Sequence, residues 1–298
     1  MFMNENKIII RFDVDMKQEF EFILDAANFL EDLGIKGNVS LIVGYDNLGR
    51  TPFYKILNRK IKNRNVFQHS NFNLIPKTYM LRTLFSPYNI LNLKDRIKSL
   101  LKYKHEILCH GLEHPKWSYD ILSETEKIKW IEKSQENFKK IFGRYSEGFA
   151  PPCFVFKKSD VKILQKRFKY ISTISRNKKI IFYKIKDKVD LIDIPVTIAG
   201  PDSYILDNSI GCGAVPLLDY LLSKCVSERS IIKYFERIPI SKIDTYYFHL
   251  IYEFKSYKRL LEKVLLILTE KRTPAKFSEI LKDVRGKKYE SISYRCTL

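Results

Sequence analysis

No run of apolar residues in this chain approaches the ~18 that a membrane-spanning helix needs, so any membrane association is expected to be peripheral. Cysteine is sparse and unpatterned. Cys109, Cys153, Cys212, Cys225 and Cys296 are odd in number and form no CxxC pair. That argues against a disulfide framework or a cysteine zinc site and fits a reducing compartment. Met1 to Lys7 carry acids and no apolar stretch, so a secretory signal is not expected. Cys296 stands third from the last residue, one position short of a prenylation box. Acidic residues are also in short supply, 34 against 53 Lys and Arg, for a formal net charge of +19.

Such an excess attracts polyanions: nucleic acid, anionic lipid head groups or phosphorylated substrates. Heavy use of Lys, Ile and Asn, as in A+T-rich coding sequence, accounts for part of it. The 45% hydrophobic and 13% aromatic content is enough for a large core and excludes wholesale disorder. A length of 298 residues suits one (β/α) barrel domain. The candidate site residues run from Asp13 to His249, so 1–298 is read as a single domain.

Strand-like and helix-like segments alternate. Ile8-Ile9-Ile10-Arg11-Phe12 reads as a buried strand, and residues 18–33 show helical spacing that Gly34 ends. Strands are expected at Val39–Val43, Glu106–Cys109, Tyr170–Ile174, Leu191–Val196 and Tyr246–Ile251. Ser123-Glu124-Thr125-Glu126 is a capping box opening a helix that Gly143 closes. Further helices are expected over 159–168, 215–225 and 256–271. The alternation argues for a parallel α/β fold, open or closed into a barrel. Residues 50–104 break the rhythm, with thirteen Lys or Arg against the single acid Asp95 and many interleaved aromatics. They are read as an insertion lying over one end of the fold.

Three groups of residues can carry chemistry. Asp13 and Asp15 follow the first strand, where two carboxylates need cationic compensation. His110 and His114, four apart after a later strand, can face one point. His249 sits in the apolar run Tyr246-Tyr247-Phe248-His249-Leu250. Each alone has a bland reading: a turn or N-cap aspartate, core or surface histidines. Together they map to strand ends, where α/β folds build sites.

In these motifs the chain resembles the polysaccharide deacetylases of the NodB-homology type. Arg11-Phe12-Asp13-Val14-Asp15, His110-Gly111-Leu112-Glu113-His114 and Phe248-His249-Leu250 match the family's first, second and last motifs. Gly44-Tyr45-Asp46-Asn47-Leu48-Gly49-Arg50 resembles a stretch of the members that deacylate amino sugars on undecaprenyl phosphate. Ile194-Pro195-Val196-Thr197 and the spacing from His110 to Trp117 are weaker echoes.

The resemblance implies a distorted (β/α) barrel of about seven parallel strands. It implies an amide hydrolase removing an acetyl or formyl group from a polyprenyl-phosphate-linked amino sugar in envelope glycan or lipid A modification. Asp15, His110 and His114 would hold one divalent ion, Zn2+ by preference for mixed N and O ligands. Asp13 would be the general base and His249 the acid. Asn47, Arg50, Trp117 and Asp202 would contact substrate, Asp202 also being a candidate partner of His249. One departure stands out: Phe149-Ala150-Pro151-Pro152-Cys153-Phe154 lacks the arginine by which this family usually holds its catalytic aspartate.

The expected partners are that lipid-linked sugar and an anionic membrane, on the cytoplasmic side of the inner membrane. No nucleic acid is expected, since no nucleic-acid motif accompanies the charge. Two other functions compete: a DxD glycosyltransferase, in which both aspartates serve a nucleotide-bound metal, and a basic nucleic-acid-binding protein.

Overall fold

The computed structural model describes residues 5–50, 77–174, 178–185, 188–201, 215–285 and 296–297. The strands are β1 (Lys7–Val14), β2 (Gly37–Leu41), β3 (Tyr45–Asp46), β4 (Tyr88–Asn89), β5 (Glu106–Cys109), β6 (Gly148–Phe149), β7 (Tyr170–Ile171), β8 (Ile181–Ile185), β9 (Lys188–Asp193), β10 (Ile243–His249), β11 (Thr273–Pro274) and β12 (Cys296–Thr297). The helices are α1 (Lys17–Phe20), α2 (Ile23–Asp32), α3 (Lys77–Phe85), α4 (Lys94–Lys98), α5 (His114–Ser118), α6 (Glu124–Phe142), α7 (Val161–Leu164), α8 (Leu217–Ser223), α9 (Glu228–Glu236), α10 (Lys255–Glu270) and α11 (Phe277–Arg285).

One sheet runs in the order β10-β1-β2-β5-β6-β7-β9, all parallel, and then continues through antiparallel β8 to β12. The sheet is curled. The chain leaving β9 returns to the far edge, where Ile198 bridges Tyr246 of β10. This is the α/β architecture expected from the alternation, a half-barrel of mostly parallel strands.

β1 explains why the run of isoleucines is unbroken: the strand is covered on both faces, as central parallel strands are. Ile8, Ile10, Phe12 and Val14 join the main core with Ala26, Ala27 and Leu30 of α2. Ile9 lies in a second cluster with Leu108, Tyr170, Ile192 and Phe277. Arg11 and Asp13 share the Ile9 face by the two-residue alternation of a strand.

Several boundaries differ from the sequence expectation. The helix at 18–33 is broken into α1 and α2, and the break accompanies burial of Glu19, whose Oε2 accepts the Asp15 N–H at 2.7 Å. The strand expected at Tyr246–Ile251 ends at His249, and a π-helical turn covers Leu250–Phe254. The helix expected over 159–168 is shorter, a 3-10 turn followed by α7. Antiparallel β8 and helices α9 and α11 were not expected. The capping box is present as read, with Gly143 left-handed at φ 74°.

Of the basic segment 50–104, residues 51–76 lie outside the described residues. The remainder contains α3, β4 and α4. Gly49 permits the docking of α3: a Cβ there would fall 1.9 Å from Met80 O, and its N–H donates to Thr83 Oγ1 at 2.9 Å.

Candidate metal centre

Asp15, just past the end of β1, meets the two histidines that follow β5. Its Oδ1 lies 3.0 Å from His110 Nε2 and its Oδ2 3.6 Å from His114 Nε2. One ligand atom from each of the three lies within 4.8 Å of the other two. The opposite ring nitrogens are held. His110 Nδ1 lies 2.7 Å from Ala150 O, and His114 Nδ1 lies 3.1 Å from Ser118 Oγ, which itself donates to His114 O. A carbonyl at Nδ1 requires that nitrogen of His110 to carry the proton, which leaves the Nε2 lone pair for a cation. Asp15 Oδ1 is buried without a hydrogen-bond donor, as an oxygen reserved for a cation would be. Two imidazoles and a carboxylate suit a divalent ion of the zinc type.

Gly111 makes the approach of the two histidines feasible. Its φ is +98°, and a Cβ would fall 1.9 Å from the Trp130 ring. Gly111→Ala should therefore destabilise the fold by about 1–3 kcal/mol through overpacking alone, read as a lowered midpoint of thermal unfolding. An unchanged midpoint would show that the loop and Trp130 can yield.

Asp13 is not part of the cation cluster. Its Oδ2 receives Arg11 Nη2 at 2.8 Å, with both side chains almost wholly buried, while its Oδ1 has no partner. The arginine missing from Phe149–Phe154 is thus replaced from two residues upstream on the same strand. Arg11 also donates to Ser172 Oγ at 2.9 Å and lies over the rings of Phe154 and Tyr247. The alternating period of β1 was the signal for this pairing, since positions 11 and 13 must share a face.

His249 enters from β10, in register with Asp13, and its Nε2 lies 3.6 Å from Asp15 Oδ2. Burial opposes its charged form, yet the hydrogen-bonding contact and charge of Asp15 raise its pKa to about 10. His114 is likewise opposed by burial but raised to about 9 by Cys153 and Asp15. For Asp15 the two histidines outweigh burial and hold the carboxyl well below its usual range.

Sequence reasoning missed four neighbours. Glu19 and Glu253 are buried carboxyls, each raised by burial to about 8, and Asp219 is raised by burial to about 6. Glu19 ties the ends of β1 and β10 together through the N–H groups of Asp15 and Ile251. Cys153 Sγ lies 3.8 Å from His114 Nε2, on a backbone with φ of 52° followed by Phe154 at 56°. Consecutive left-handed residues other than glycine are strained and gather at functional sites. None of the three acids sits in a recognisable spacing, so only the fold could reveal them.

The remaining sequence candidates fall elsewhere. Trp117 is 1% exposed, stacks on Trp130 and donates from Nε1 to Val155 O at 2.7 Å; it packs in the core instead of lining an open sugar site. Asn47 is buried and donates to Glu113, whose other oxygen pairs with Lys116 at 2.6 Å. Arg50 donates from Nε to Leu84 O at 3.2 Å and so braces α3. Asp202 lies outside the described residues.

The fold and a cluster of two histidines and an aspartate at strand ends define the class: an α/β half-barrel whose strand ends carry a site able to hold one divalent ion. Comparison with known proteins narrows it. The family model described as polysaccharide deacetylase matches residues 52–168. A putative polysaccharide deacetylase from Mycobacterium smegmatis shares the fold, with a TM-score of 0.60 at 14% identity over 99% of this chain and 96% of that one. A Puue allantoinase gives 0.58 at 9% identity over 95% and 91%. A family 4 carbohydrate esterase (CE4) pseudoenzyme from Bacillus anthracis gives 0.51 at 12% identity over 94% and 66%. No curated protein matches the chain in sequence. The family match takes in His110 and His114 but less than half of the chain, and the solved structures, at 14% identity or less, show a shared fold.

Proposed function

We propose that this protein removes an N-acyl group, acetyl or formyl, from an amino sugar carried on a polyprenyl phosphate, in envelope glycan modification. The observation that carries the hydrolytic reading is the Asp15, His110 and His114 cluster flanked by Asp13 and His249. Fold alone would not suffice, since one protein of this shape is a pseudoenzyme. When bound by those three residues, a divalent ion supplies Lewis acidity toward water and the amide carbonyl.

The chain's own groups do the rest. Arg11 fixes one oxygen of Asp13 and leaves the other as an acceptor for the proton of the attacking water. His249 delivers a proton to the departing amine, which without it is a poor leaving group. A glycosyltransferase reading would need both aspartates on one ion, whereas Asp13 is committed to Arg11. It also gives His110, His114 and His249 no task.

The lipid-linked part of the proposal draws on charge and on α3. Leu81 and Phe85, four apart on that helix, are 58% and 77% exposed, with Lys77 and Arg82 exposed beside them. Such a face suits an anionic bilayer: polybasic attraction, worth about 1 kcal/mol per well-placed cation, joins with partial insertion of apolar side chains. Tyr79 of the same helix donates to Asp46, and half-buried Arg50, at the end of the segment that Asp46 begins, is the candidate contact for the substrate's phosphate. No described helix is long and apolar enough to span a membrane.

Two measurements test the proposal. Metal-dependent release of free amine from an N-acyl amino sugar is expected, and its absence with every divalent ion tried would remove the hydrolase reading. Sedimentation with vesicles containing anionic lipid should carry the wild type down. Neutral vesicles, or a variant with Leu81→Ser and Phe85→Ser, should leave more in the supernatant. Equal recovery throughout would defeat the membrane claim and favour a soluble amino sugar.

A further inference from the structure

His249 reaches the metal centre through Nε2, so its Nδ1 is turned away from Asp15. That nitrogen is buried and has no hydrogen-bond partner among the described residues. Four residues on, within the π-helical turn Leu250–Phe254, Glu253 is 1% exposed. Its Oε2 accepts the backbone N–H of His249 at 2.9 Å, and its Oε1 is buried without a partner.

Two unpartnered atoms of complementary chemistry, an imidazole nitrogen and a carboxylate oxygen, thus belong to side chains already joined through the His249 backbone. Each such orphan is costly when buried, and a hydrogen bond between the two would relieve both. The π turn contributes directly, because it is the element that carries Glu253 beside the histidine it follows. π turns recur at functional sites for this kind of re-aiming.

Among the described residues, the other acids near His249 are differently engaged. Glu19 uses both oxygens on the N–H groups of Asp15 and Ile251. Asp15 faces the Nε2 side. Asp219 is close enough to interact with the His249 charge, and it approaches from α8 instead of through the His249 backbone.

We propose that Glu253 is the positioning residue of His249, accepting the Nδ1–H so that Nε2 is the nitrogen that carries and releases a proton. The proposal rests on the reading of His249 as the acid of the hydrolytic reaction. No covalent change is involved. One proton stays on Nδ1 and the other passes from Nε2 to the amine nitrogen as its bond to the acyl carbon breaks.

The first test needs no turnover. Nitrogen-15 spectra of the imidazoles in the metal-loaded full-length protein should show His249 protonated at Nδ1, and Glu253→Gln, which presents an amide donor there, should move the proton off Nδ1. A wild type unprotonated at Nδ1, or a spectrum indifferent to Glu253→Gln, overturns the proposal.

The second test uses the leaving group. Glu253→Gln should lose about 10²- to 10⁴-fold in kcat on an N-acetyl amino sugar, as loss of an oriented proton donor does. It should keep its metal and most of its rate on 4-nitrophenyl acetate, whose leaving group needs no proton. Equal losses on both substrates would mean a merely structural role and overturn it. The same selective loss in Asp219→Asn but not in Glu253→Gln would assign the role to Asp219 and overturn it too. A wild type that cleaves neither substrate sinks the hydrolase reading alone, and the nitrogen-15 result still decides for Glu253.

Discussion

His110→Ala and His114→Ala should each strip the divalent ion and abolish turnover. A bound ion contributes several kcal/mol to such a reaction, so a loss of about 10³-fold or more is expected in kcat. Measured by equilibrium dialysis, the ion should be recovered with the wild type and not with either variant. His110 should be the more sensitive position, because its ring is clamped between Ala150 O and Asp15 with 2% exposure.

Affinity should also depend on pH with a definite sign. Metal binding requires neutral imidazole, and His114, held protonated up to about 9 by Cys153 and Asp15, must lose its proton first. Binding therefore tightens as pH rises toward 9 and weakens below it. Full retention of metal by both alanine variants, or affinity flat between neutral pH and pH 9, would show that the ligands have been misassigned.

Asp13→Asn should behave differently: the ion stays and the rate falls by about 10²–10⁴-fold, the usual worth of general-base help. The asparagine keeps an oxygen for Arg11 but no longer takes a proton. Removing the other partner has another signature. Arg11→Met leaves a buried carboxylate uncompensated, which costs about 3–5 kcal/mol of stability and should show in the urea midpoint before it shows in chemistry. If Asp13→Asn loses the ion while Asp15→Asn keeps it, the two aspartates have exchanged roles. Combining Asp13→Asn with Arg11→Met should recover part of the stability lost by the arginine variant alone, since the pair would then be neutral on both sides.

Much of this architecture is determined by the sequence itself. The Ile8 to Phe12 run reads as a strand covered on both faces, and its period of two commits Arg11 and Asp13 to a common side. The spacing of Ser123, Glu126 and Gly143 sets both ends of α6, because caps are local chemistry. Alternation of strands and helices argues for parallel pairing, and the strands from β10 through β1, β2 and β5 are parallel.

Tertiary structure alone decided the rest. That Asp15, His110 and His114 converge depends on how β1, β2 and β5 lie side by side. Glu19, Asp219 and Glu253 surround His249 from three helical elements, and a lone buried acid leaves no periodic trace in a sequence. Trp117 shows the reverse case: an aromatic beside a site motif reads equally as a sugar platform or as core. Only its stacking on Trp130, from a different helix, settles that it is core. Local rules reach about one turn along the chain; contacts between distant segments are fixed by packing, which no short-range pattern encodes.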